Sequence, residues 1–210
     1  DKFLAVFYVD LHPRDGKKSG AWATDIQTQK VKNGVDFRPH VSIVCNFSKA
    51  VGDTPALLTH SELTTLFHEF GHALHMMMSK CNYASLACAN VYWDFVELPS
   101  QIMENWCFEK ECLDIFAAHY KTSEKIPQEL INKIIKSQTF MEGWQTVRQI
   151  SFGLIDMAWH GIDPTDISDV GAYESKVFEK TRLIPDVPEA NRSVSFSHLF
   201  QGGYSAGYYS

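Results

Sequence analysis

Positive charge is scarce in this sequence. Nineteen Lys and Arg stand against 25 Asp and Glu, a formal net charge of −6 with His neutral. Nucleic acid and anionic membrane faces are held by basic surfaces, so neither is expected as a main partner. Long apolar runs are missing as well: none reaches the roughly 18 residues of a membrane span. The opening Asp1-Lys2-Phe3-Leu4 has no initiator Met and no small-residue cleavage site, and does not read as a signal peptide. Paired cysteines are lacking too. Cys45, Cys81, Cys88, Cys107 and Cys112 are odd in number, and no two stand in C-x-x-C spacing. That argues against a disulfide framework and a cysteine-based structural metal site, and for reduced, mostly buried thiols in a reducing compartment. Internal repeats and low-complexity segments are absent.

Apolar residues, by contrast, make up 45% of the 210 positions, enough for one hydrophobic core and a single domain over 1–210. Both ends look cut. Residue 1 lies at the threshold of an apolar strand, and Ser210 closes a Gly/Tyr-rich stretch without a finishing element. The chain is therefore expected to be part of a longer protein.

The N-terminal quarter reads as strands. Phe3 to Leu11 is rich in β-branched and aromatic residues, Ala21 to Gln29 offers a second strand, and Val41 to Phe47 is apolar enough for a buried third. Gly52-Asp53-Thr54-Pro55 breaks that pattern. Thr59-x-x-Glu62 then has the form of a capping box. It opens a helix that runs to about Ser79 and turns Leu63, Leu66, Phe67, Phe70, Ala73 and Leu74 inward. Residues 81–92 form a connector. Further helices are predicted over 97–120, 127–137, 140–160 and 170–182. The fold class is mainly α, with a small β-sheet at the N-terminal edge.

The first helix carries His68-Glu69-Phe70-Gly71-His72. Residues i and i+4 leave the same face of a helix about one turn apart. Two imidazoles so placed can bind one tetrahedral metal at about 2.0–2.1 Å, the geometry of zinc. Glu69 stands beside the first ligand, where a carboxylate can take a proton from an attacking water. A catalytic zinc takes three protein ligands and keeps one position open. A metzincin would need glycine at position 75 and histidine at position 78, but the chain has His75 and Met78. His75 lies about two turns beyond His68 and is assigned to packing or support. The remaining choice is a later carboxylate: Asp94, Glu97, Glu104, Glu109 or Glu111. Spacing does not choose among them, although Asp94 and Glu97 come first after the connector.

Several separated segments follow in one order. They are Phe37 to Phe47, Leu57-Leu58-Thr59-His60, Thr65-Leu66-Phe67-His68-Glu69-Phe70-Gly71-His72-Ala73-Leu74-His75, Asp94-Phe95-Val96-Glu97-Leu98-Pro99-Ser100-Gln101, and Phe196 to Tyr209 with its Gly202-Gly203-Tyr204. Through them the chain resembles the thimet oligopeptidase family of zinc metallopeptidases, which includes oligopeptidase A and the bacterial peptidyl-dipeptidase Dcp. Phe7-Tyr8-Val9-Asp10 and His12-Pro13-Arg14-Asp15-Gly16-Lys17 are most similar to the Dcp branch. The resemblance implies a zincin-like catalytic domain, one Zn2+, and Glu97 as its third ligand beside His68 and His72. It implies Glu69 as the base, Tyr204 as a hydrogen-bond donor to the oxyanion, and His198 as a substrate contact. A further family tyrosine would fall beyond Ser210. Short peptides are the implied substrates. A monomer is expected, in the cytoplasm or, for a Dcp-type parent, the periplasm.

Two rival readings stand beside this one. Gly203-Tyr204-Ser205-Ala206-Gly207 matches the G-x-S-x-G of a serine hydrolase. That fold needs its acid and His after the Ser in chain order, and three residues follow Ala206-Gly207 here without either. The second rival is a non-catalytic helical domain with a structural or vestigial zinc site. Structural sites are closed by four protein ligands, which fits poorly with an open set beside an intact Glu69.

Overall fold

A computed structural model describes residues 2–187 and 189–209. The chain divides into two compact units, Asp1–Ile135 and Lys136–Ser210. It is mainly helical, with its strands gathered at the N-terminal end, as the sequence pattern predicts.

In the first unit, strands β1 (Val6–Asp10), β2 (Trp22–Gln27) and β5 (His40–Val44) form a sheet in the order β1-β5-β2. The central strand β5 runs parallel to β1, with Val6 opposite His40, and antiparallel to β2, with Trp22 opposite Val44. Val41 and Ile43 alternate with half-buried neighbours and lie fully inside, as period-2 patterning requires. Strands β3 (Lys30–Lys32) and β4 (Val35–Phe37) form a separate hairpin beyond the three expected strands. Its turn is Asn33-Gly34, with φ of 52° and 75°. Positive φ at both central residues is the type I′ requirement that Asn-Gly meets, so the signal is present in the sequence.

Helix α1 spans His60–Met77. Its start follows from the capping box. The Thr59 hydroxyl accepts from the Glu62 amide, and the Glu62 carboxylate accepts from the Thr59 amide. Ala73, Met76 and Met77 pack with Val41 and Ile43, and half-buried Phe7, Leu66, Phe70 and Leu74 surround them. The inward face is thus rotated from the expected one. Of the six apolar residues predicted to point inward, Ala73 is fully buried and the others half-buried, while Glu69 and Gly71 lie inside.

The single helix expected over 97–120 is instead broken into pieces. They are α2 (Trp93–Val96), α3 (Leu98–Glu104), a 3₁₀ turn at Asn105–Phe108 and α4 (Lys110–Phe116). The break has a tertiary cause. His60 donates through Nε2 to the Cys107 carbonyl at 3.0 Å, and its ring lies 4.7 Å from that of Phe108. A carbonyl engaged by a side chain is diverted from the i→i+4 ladder. Glu109 then adopts an extended backbone before α4 starts. Helix α5 (Gln128–Ser137) follows.

The second unit holds α6 (Glu142–His160), α7 (Val170–Val177) and α8 (Arg192–Ser195). The helix predicted to reach 182 ends in α7 and a 3₁₀ turn at Phe178–Lys180. Phe152, Ile155 and Asp156 of α6 are buried, and Tyr173 of α7 donates to the Ala158 carbonyl at 2.9 Å. All five cysteines are free thiols, three of them buried. Burial pushes Cys45 and Cys107 up to about 11, the nearby Glu69 charge adding to the effect on Cys45. Among the described residues, no helix is long and apolar enough to cross a membrane.

Candidate metal centre

The centre is built where α3 crosses α1. A Cβ on Gly71 would lie 2.4 Å from the Pro99 carbonyl oxygen and 2.6 Å from the Ser100 Cα. Both obstacles are backbone, so a hydrogen is the substituent this crossing accepts. That close approach delivers the α2–α3 junction, and with it Glu97, to the His68–His72 face.

Glu97 Oε2 lies 3.2 Å from His68 Nε2 and 3.1 Å from His72 Nε2. The two rings stand edge to face with centroids 4.9 Å apart. Among the described residues, His68, His72 and Glu97 are the group whose ligand atoms could converge on one metal ion. Zinc bonds of 2.0–2.1 Å at tetrahedral angles place ligand atoms about 3.3 Å apart. Both Glu97–histidine separations have nearly that spacing, and all three ligand atoms lie within 4.8 Å of one another, so the residues fit the ion that the motif implies.

Supporting contacts orient the trio. The fully buried Ser100 donates from Oγ to Glu97 Oε2 and to the Glu97 carbonyl, each at 2.8 Å. Glu104 Oε1 accepts from His68 Nδ1 at 2.6 Å, leaving Nε2 for the trio. A carboxylate on the far nitrogen fixes the tautomer and raises the basicity of a ligand histidine. Burial pulls the His68 pKa down, but the carboxylates of Glu97 and Glu104 outweigh it and push it up to about 9. A dication bound at Nε2 reverses that balance, because a ligand imidazole must be neutral.

Glu69 points inward beside the trio. Its side chain is buried, and Oε2 has no hydrogen-bond partner among the described residues. Burial raises its pKa, and Glu97 adds to this, against the lowering effects of His68 and His72. A buried carboxylate oxygen without a partner costs free energy. An incoming water or ion is a natural partner for it.

The other carboxylates considered from sequence fall outside the trio. Asp94 is on α2, Glu109 stands just before α4 without a side-chain capping bond, and Glu111 lies in the first turn of α4. Glu104 serves His68 instead. Its signal is readable: it stands seven residues after Glu97, two helical turns on. The role of Ser100 has no such signal, since it depends on the Gly71 crossing. His75 sits apart with its ring 6.0 Å from that of Phe95, and burial lowers its pKa.

His198 and Tyr204 belong to the second unit. His198 lies in a 3₁₀ turn at Ser197–Leu199 and Tyr204 in another at Gly202–Tyr204. Their ring centroids are 5.4 Å apart. Tyr208 completes the group, 5.8 Å from His198 in a near-parallel stack and 6.1 Å from Tyr204. The structure thus brings these two together in an aromatic cluster.

Comparison with known proteins gives this arrangement relatives. Oligopeptidase A of Haemophilus influenzae is 41% identical over 213 residues, which cover 100% of this chain and 31% of that protein. Oligopeptidase A of Escherichia coli is 40% identical over 207 residues, 97% of this chain and 30% of the relative. Dipeptidyl carboxypeptidase of Escherichia coli is 38% identical over 208 residues, 98% of this chain and 30% of the relative. The chain therefore spans less than a third of the length of these relatives, and matches both branches at similar identity. The model of peptidase family M3 matches residues 1–210, and with that match running from end to end, the chain belongs to peptidase family M3.

Proposed function

We propose that this chain carries the hydrolytic centre of a zinc-dependent oligopeptidase or peptidyl-dipeptidase that cleaves short peptides. The observation that carries the reading is a buried Glu69 with an unpartnered Oε2, set beside a His68–His72–Glu97 trio spaced for one metal ion.

A zinc ion held by that trio would supply Lewis acidity, polarising the scissile carbonyl and making water a better acid. The chain's own residues do the rest. Glu69 accepts the proton of the attacking water and passes it to the leaving amine nitrogen. The unpartnered Oε2 of Glu69 leaves an acceptor free for that proton between the two steps. Glu104 and Ser100 keep His68 and Glu97 aimed. Tyr204 donates a hydrogen bond to the oxyanion of the tetrahedral intermediate, and His198 contacts the substrate. The protein acts as a monomer in the cytoplasm or periplasm, without nucleic acid or membrane as a partner.

The test is Glu69→Gln in the full polypeptide. Peptide hydrolysis is expected to fall by roughly 10²- to 10⁴-fold, the share of a general base, while zinc content stays at the wild-type level. Retained cleavage, or loss of the metal, overturns the assignment. Mass spectrometry of products from a peptide with a free C-terminus and its amidated twin separates the two specificities. Equal cleavage of both excludes a peptidyl-dipeptidase. A closed structural metal site is disfavoured by the trio's three ligands. Ser205→Ala is expected to leave activity intact, against the serine-hydrolase alternative.

A further inference from the structure

The segment from Arg192 to Tyr208 has little regular structure: four residues of α8 and two 3₁₀ turns. The backbone hydrogen bonds along it, such as Phe196 N–H to the Arg192 carbonyl and Gly207 N–H to the Tyr204 carbonyl, are local. They shape the turns without fixing where the segment lies, and ordering each of its residues costs conformational entropy. It nevertheless carries both His198 and Tyr204. Two buried carboxylates supply the longer-range ties.

Asp156 of α6 is fully buried. Its Oδ1 accepts from the Ala206 amide at 2.9 Å and its Oδ2 from the Tyr208 amide at 3.1 Å. His160, one turn along α6, approaches Oδ1 with Nδ1 at 3.2 Å. Glu174 of α7 is buried as well. Its Oε1 accepts from the Arg192 amide at 2.8 Å, and its Oε2 from the Ser193 amide at 2.7 Å and the Ser193 hydroxyl at 2.8 Å. A buried carboxylate is costly unless its oxygens are satisfied. Here all four oxygens bind the two ends of one segment.

A second observation concerns Ala206. It has φ of 59°, in the left-handed region that residues with a Cβ disfavour. Such a conformation persists where its surroundings over-determine it. The Ala206 amide is the group that Asp156 holds, two residues after Tyr204. Ring packing seals the same stretch: Phe152 of α6 stacks on Phe196 at 4.5 Å, and Phe196 meets Tyr208 edge-on at 4.7 Å.

We propose that Asp156, assisted by Glu174, is a positioning residue: it clamps the backbone on either side of the Gly202-Gly203-Tyr204 turn and so sets where the Tyr204 hydroxyl and His198 ring are presented. This rests on the reading of Tyr204 as the oxyanion donor. Asp156 touches neither substrate nor metal. Its effect passes through the backbone amides of Ala206 and Tyr208. The two glycines need such a clamp, because they leave the turn free to take many conformations.

The experiment uses the full metal-loaded polypeptide and three variants: Asp156→Asn, Tyr204→Phe and the double variant. In Asp156→Asn one acceptor oxygen becomes an NH₂ group facing a backbone N–H. Amide exchange at Ala206 and Tyr208 is expected to speed up about tenfold or more, as for a lost charge-assisted hydrogen bond. Exchange in α1 and the zinc content stay unchanged. The kcat falls about 10- to 100-fold, the cost of an ångström-scale misplacement, with little change in KM. The double variant is no slower than Tyr204→Phe alone, since Asp156 acts through Tyr204. Losses that add in the double variant overturn the proposal. So does a lowered melting temperature with kcat per folded molecule intact, which marks a merely structural residue. If Tyr204→Phe keeps full activity, the oxyanion reading fails, and exchange decides the clamp alone: unchanged exchange in Asp156→Asn ends it. Should Asp156→Asn not fold, Glu174→Gln tests the same coupling from the other end, at Arg192 and Ser193.

Discussion

In the first unit the candidate chemistry rides on regular structure. His68, Glu69 and His72 share one stretch of an 18-residue helix, and Glu97 stands at the start of the helix that crosses it. In the second unit His198 and Tyr204 sit on short turns whose backbone is tied to α6 and α7 by buried carboxylates. A helix fixes side-chain direction through its own hydrogen bonds, so a five-residue motif is enough to set two candidate ligands and a candidate base on one face. A loop has no such internal rule, and its geometry is borrowed from residues far away in sequence. The two regions are therefore expected to fail differently when altered.

The largest effect is expected from removing the ring beneath the loop. Phe152 packs against Phe196 and Tyr208, and the guanidinium of Arg148 lies 4.6 Å from its centroid. Phe152→Ala is expected to cost about 3–5 kcal/mol, read by chemical denaturation, and to lower kcat while metal affinity holds. Equal loss of metal would erase the contrast between the regions. Next comes Gly71→Ala. The new methyl meets backbone at 2.4 Å, and overpacking of this kind costs about 1–3 kcal/mol. Because α3 must retreat, zinc affinity should drop along with stability. A variant that kept full affinity would show that the crossing does not set the position of Glu97.

Glu104→Gln sharpens the comparison within the first unit. It leaves the trio intact and removes the charge behind His68 Nδ1. Zinc affinity is expected to weaken about 10- to 100-fold, measured by competition with a chelator. The metal-free protein loses part of the stability that the protonated His68–Glu104 pair contributes below the raised His68 pKa. The smallest effect is at the helix start. Thr59→Ala removes half of the capping box and should cost about 1 kcal/mol, with kcat unaltered, because His68 lies more than two turns further on.

Much of the first unit is legible in the sequence. The capping box places the start of α1, its end lies within two residues of prediction, and the i,i+4 histidines follow from helical geometry. The rotation of the buried face is not legible. The sheet beneath α1 selects Ala73, Met76 and Met77 for contact with Val41 and Ile43, and periodicity alone leaves that choice open. The Asn33-Gly34 turn carries a readable hairpin signal, although the three-strand expectation omits it. The break after Glu104 carries none, since it depends on His60 reaching the Cys107 carbonyl across 47 residues of sequence.

By itself, the sequence determined what is local and periodic: a small sheet followed by helices, two histidines and a glutamate on one helix, and a Gly-Gly-Tyr turn. Spacing left five later carboxylates open for the third position, and the family resemblance pointed to Glu97 among them. Tertiary structure places Glu97, and none of the other four, in the group that could hold one metal ion among the described residues. A glycine without a side chain lets α3 approach α1 to contact distance, which brings Glu97 to the histidines and turns Glu104 to the far nitrogen of His68. Tertiary structure also decided what holds the Tyr204 turn, because a backbone whose own hydrogen bonds are local takes its placement from the buried acceptors it can reach.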